Sequence, residues 1–158
     1  MQNFFSDVVE IGGLVIIAIF AYLLIYGWVM KAKRRNGTLK PKQLIAFTSA
    51  EMMIELSQCG FKEYGLGRLD SVMSLDGYIE MLKERGDIEE LLRDKELILR
   101  LGSFLGELLR AKKHFHWKFS EDLIPSLIKK EEVLYPYELV KQKIRGELES
   151  LYGYAQKL

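Results

Sequence analysis

The sequence predicts an α+β protein: a single N-terminal transmembrane helix, then a small domain of about three helices, a short antiparallel sheet and a C-terminal helix. Three observations carry this reading. Ile11 to Met30 is a run of 20 residues without a charge. Apolar residues between Ile45 and Leu109 recur at helical spacing, and His114 to Phe119 then alternates strictly before Pro136 restores the helical period.

Taken in order, the chain opens with a short N-terminus, residues 1–10, carrying Asp7 and Glu10 and no base. The uncharged run at 11–30 reaches roughly 30 Å as a helix, the thickness of a hydrocarbon core, with its backbone hydrogen bonds satisfied internally. Being apolar all round, it lacks the polar face of a surface helix. Residues 31–42 form a basic linker with six bases and no acid. The positive-inside rule then puts the N-terminus outside and the remainder in the cytoplasm, the arrangement of a single-pass inner-membrane protein. A cleaved secretory signal would need bases before the run and a small-residue cleavage site after it. Trp28, Lys31, Lys33, Arg34 and Arg35 stand there instead and read as membrane-interface anchors, with the lipid bilayer as a partner.

Residues 43–158 hold 17 basic and 20 acidic side chains. A segment so close to neutrality lacks the electrostatic footprint of a nucleic-acid binder. Its length suits one domain and is too short for two ordinary ones. Cys59 is the only cysteine, so no internal disulfide forms, and beside Gly60 it reads as a buried small residue rather than a nucleophile.

Within that domain, Pro41 suits the first turn of a helix whose stripe is Ile45, Met52, Met53 and Leu56, stopped near Gly60. Leu75, Ile79 and Leu82 mark a second helix ending at Gly86. Asp87 followed by Glu90 has the form of a capping box, opening a third and longest helix that runs through Leu91 to Leu109. His114 to Phe119 reads as a half-buried strand. Leu123 to Ile128 and Val133 to Tyr135 read as two more, with Pro125 favouring an edge or loop. Pro136 opens the last helix, striped by Tyr137, Val140, Ile144, Leu148, Leu151 and Ala155.

Four residues form the candidate interaction groove: Gly102, Gly106, Glu107 and Trp117. Two glycines four apart share a helix face and admit a close neighbour, at about 1 kcal/mol each relative to alanine. The sheet or last helix of the same domain is the expected neighbour, with a peptide or ligand as the alternative. Glu107 alone makes no acid-base pair. His114 and His116 would share a strand face as the start of a metal pair, yet no spaced third ligand accompanies them, and neither metal nor cofactor is expected. Phe115, Trp117, Phe119, Tyr135 and Tyr137 read as the core face of the sheet. No phosphate loop, Ser-His-Asp order or paired-cysteine pattern is present.

Leu69-Asp70-Ser71 with Ser74-Leu75, Leu101-Gly102-Ser103-Phe104-Leu105-Gly106-Glu107, Trp117, and Tyr135-Pro136-Tyr137-Glu138-Leu139-Val140 with Lys143-Ile144 form one pattern over roughly residues 69 to 154. In these stretches the chain resembles a family of small bacterial domains without an established activity. The resemblance implies one α+β domain and a bacterial source. His114, Phe115 and His116 depart from it by replacing a glycine-rich turn.

The sequence therefore points to a membrane-anchored cytoplasmic interaction or accessory module, partnered by another membrane-associated protein. Two alternatives accompany that expectation. One is a membrane-bound enzyme with a site near Glu107, and the other is an immunity protein neutralising a toxin.

Overall fold

A computed structural model of the chain describes residues 21–22, 24–120 and 123–158. They belong to two compact units, Met1–Lys40 and Pro41–Leu158.

In the first unit residues 24–35 are helical, and Asn36 and Gly37 turn the chain. Among the described residues, no helix is long and apolar enough to cross a membrane. Residues 11–20 and 23 of the expected span lie outside the described residues. The expectations of a transmembrane helix, of a single-pass inner-membrane protein and of a cytoplasmic domain behind it are corrected on this finding. The physical reason within the described residues is charge: the last five positions of the helix include Lys31, Lys33, Arg34 and Arg35. The membrane-interface role expected of Trp28 and these four bases loses its basis with the span.

The second unit is α+β, with a three-stranded antiparallel sheet. Its first helix, α1 (Pro41–Gln58), buries Ile45, Met52 and Leu56, together with Thr48 and Ser49. Next comes α2 (Ser71–Arg85), which buries Val72, Leu75, Tyr78 and Ile79. The single helix expected after Asp87 is two, α3 (Ile88–Arg93) and α4 (Lys95–Lys113). Two aspartates make the division. Asp87 accepts from the backbone N–H groups of Glu89 and Glu90, and Asp94 from those of Glu96 and Leu97. Each aspartate thereby starts its own helix. The central element is α4, which buries Leu101, Phe104, Leu105, Leu108 and Leu109 in the common core.

The strands are β1 (His116–Ser120), β2 (Leu123–Lys129) and β3 (Glu132–Leu134), in the order β1-β2-β3. Trp117 lies opposite Leu127, and Leu127 opposite Leu134, so one row faces the core. Pro125 falls on the central strand but beyond the reach of β3, whose pairing ends at Leu127, so on that side it stands at an open edge. The register between β1 and β2 shifts between Lys118 and Ser120, and that irregularity accommodates a residue without an N–H.

The expected last helix is also two, α5 (Pro136–Arg145) and α6 (Leu151–Lys157). Gly146 adopts φ +80 and donates its N–H to the carbonyls of Gln142 and Lys143, closing α5 in a left-handed turn. The helix resumes at Ser150, whose Oγ accepts from Gly153 N at 3.0 Å.

Candidate functional site

The glycine face of α4 is occupied from within the domain. A Cβ placed on Gly102 would lie against the ring of Tyr137, 2.9 Å from its Cε1 and in collision with its Cδ1. One placed on Gly106 would collide with the six-membered ring of Trp117 and approach Pro136 Cγ at 3.3 Å. The start of α5 supplies Tyr137 and Pro136, and β1 supplies Trp117. These rings form a ladder: Phe119 stacks on Trp117 and Trp117 tilts against Tyr137, each pair with centroids 6.3 Å apart.

Polar bonds pin the ladder. Tyr137 OH and Ser103 Oγ lie 3.2 Å apart in the interior, and burial pushes the Tyr137 phenol above its ordinary value. Glu107 accepts from Trp117 Nε1 at 2.7 Å and holds Arg110 through three contacts of 2.8 to 3.1 Å. Its side chain is 12% exposed. Hydrogen bonds donated to this carboxylate hold the Arg110 guanidinium above its usual range. Gly102, Gly106, Glu107 and Trp117 are thus brought together, as a packed seam rather than an open groove.

The histidines are not brought to Glu107 by any hydrogen bond among the described residues. His114 caps α4 in the left-handed region, at φ 61, and His116 starts β1, so the shared strand face expected of them does not form. Among the described residues no group of three or more His, Cys, Asp or Glu side chains gathers to hold a metal. Cys59 is exposed, contrary to the buried position expected of it, because it lies in the turn that follows α1.

Three polar clusters carry no local signal in the sequence. Glu55 of α1 accepts from Tyr78 of α2 and pairs with Arg100 of α4, tying three helices together. Burial and the bond to Glu55 push the Tyr78 phenol far above its ordinary value. Lys143 of α5, only 6% exposed, donates to Glu80 of α2 and to the Glu149 carbonyl, each at 2.6 Å. Asp76 of α2 accepts from Ser150 Oγ at 2.8 Å and from the N–H groups of Leu151 and Tyr152, each at 2.9 Å. Partners on different helices, 23 to 76 residues apart in the chain, meet only through the fold, so no sequence spacing announces them.

An open apolar concavity of about 390 Å³ lies on the outer side of α1, lined by Ala50, Met53, Ile54, Ser57, Gln58 and Tyr64. None of these six is charged. Ile54 projects there with 58% of its surface exposed. The helical period of α1 explains the surface, since apolar residues occupy the side turned from the core as well as the buried one.

Comparison with protein families, curated proteins and solved structures finds no match to this chain. Fold and site therefore stand on their own geometry.

Proposed function

We propose that the domain formed by residues 41–158 is an interaction or accessory module, binding a protein partner that presents an uncharged, apolar helix or loop. The observation that carries this is the concavity on α1, with the exposed Ile54 in its lining and no charged side chain there. A water-exposed apolar hollow on an otherwise charge-studded surface gains free energy when covered, at about 25 cal/mol per Å² of apolar area removed from water. A histidine within hydrogen-bond reach of Glu107 would favour the enzyme alternative. That carboxylate is instead engaged by Trp117 and Arg110, so geometry favours binding over catalysis.

A photo-crosslinking amino acid at Ser57, on the rim of the hollow, tests the reading in the full chain. A discrete adduct to one other protein is expected, lost in an Ile54→Asp variant whose melting midpoint is unchanged. Adducts insensitive to Ile54→Asp would contradict it, and an adduct only between two copies of the chain would replace it with self-association.

A further inference from the structure

The sheet ends at β1. Among the described residues its partner strand is β2 alone, and no other element runs alongside it. Every second residue of such an edge strand turns its N–H and C=O outward, open to another strand. The side chains beside that edge are sorted by face. On the core side Trp117 is half-buried and Phe119, stacked on it, is 39% exposed, so the ring ladder ends in an apolar shelf. On the other side stand His116 and Lys118, both exposed, and the residues opposite them on β2, Ile128 and Ser126, carry no charge. The chain holds no acid from Leu108 to Ser120, and it enters β1 from the last turn of α4, which carries Arg110, Lys112 and Lys113. Glu107 engages Arg110, whereas Lys112 is exposed.

Charge selects the occupant. A second copy of β1 laid along this edge would set His116 and Lys118 against the same two residues, and like charges on paired strands repel. A nucleic acid has no peptide backbone for the open N–H and C=O groups, and residues 43–158 hold more acids than bases. An extended peptide with acids on one face and apolar side chains on the other matches the open backbone, the apolar shelf and the basic row together.

We propose that the outer edge of β1 is a strand-addition site for an acidic partner segment in which acidic and apolar residues alternate. Its acids face His116 and Lys118, and its apolar side chains cover Phe119 and the exposed part of Trp117. The site lies on a different element from the α1 hollow and does not require that hollow to be occupied.

A fluorescein-labelled peptide of alternating glutamate and valine, about six residues long as strands usually are, tests this by fluorescence anisotropy against the full chain. It should bind, and in amide NMR spectra the signals of His116 to Phe119 should shift while those of Val72 to Ile79 in α2 stay in place. Lys118 is exposed, so replacing it does not disturb the core. Lys118→Ala should weaken binding about threefold and Lys118→Glu about tenfold. N-methylation of every peptide nitrogen keeps the charges and removes the donors, and should abolish binding. Binding that survives N-methylation or Lys118→Glu would overturn the proposal. So would equal binding by a lysine-valine peptide, equal or tighter binding of poly-uridylate at the same residues, or no binding at millimolar peptide.

Discussion

The glycine face of α4 and the docking face of α2 both receive the C-terminal part of the chain, and they do so by opposite means. On α4 two missing side chains let the rings of Tyr137 and Trp117 sit against the helix backbone, with hydrogen bonds fixing the rings from behind. On α2 two carboxylates one turn apart, Asp76 and Glu80, hold α6 and α5 by charge and cap bonds. The first kind of contact depends on volume and tolerates no added atom. The second depends on protonation and on hydrogen-bond geometry.

The largest expected effect lies on the α4 side. Gly106→Leu must displace a Trp117 ring that is held at both ends, and should destabilise the domain by about 3 kcal/mol, the upper part of the range for overpacked cores. Chemical denaturation of the full chain measures it, and an unchanged midpoint would mean that the indole swings away freely. Trp117→Phe should cost less, about 1–3 kcal/mol. It leaves the nearly buried Glu107 carboxylate without its indole donor while Arg110 remains. If Glu107→Gln removes the Arg110 pair yet changes stability by no more than about 1 kcal/mol, the indole bond is the part that matters, as the half-exposed guanidinium suggests.

The α2 side should respond to acid. Bonds from Lys143 and then Lys83 hold the Glu80 carboxyl below its ordinary value of 4.5. A carboxylate with a depressed native pKa binds fewer protons folded than unfolded, so its contribution is present above pH 4.5 and fades as pH falls through the lower folded value. Below pH 4.5 the melting midpoint of wild type should therefore drop more steeply than that of Glu80→Gln. Parallel curves would detach Glu80 from the pH response.

Much of the fold was legible in the residues. Helical periods located α1, α2, α4 and α5, alternation located β1, and the spacing of Gly102 and Gly106 announced a close neighbour. Two divisions were missed. Asp94 and Ser150 were each read as interior to a longer helix, because an apolar stripe continues across both and outweighs one polar residue in a periodicity argument. The membrane span was inferred from residue type alone, and no described helix has the length and apolarity it required. Asp76 and Lys143 were invisible for a different reason. Their partners are defined by how α2, α5 and α6 pack, which no local pattern encodes. Trp117 was legible as a site residue, but its role as the filler of the Gly106 hollow appears only once β1 is laid across α4.

The contrast between a seam set by volume and a latch set by charge rests most directly on the sign of one substitution. Alanine in place of a helical glycine ordinarily stabilises by up to about 1 kcal/mol, as an exposed site would show. At Gly106 the added methyl meets an indole that Glu107 and Phe119 keep in place and a proline ring at 3.3 Å. Denaturation of Gly106→Ala in the full chain should give a lower midpoint than wild type, by about 1–3 kcal/mol in stability. A midpoint equal to or above that of wild type would contradict the seam.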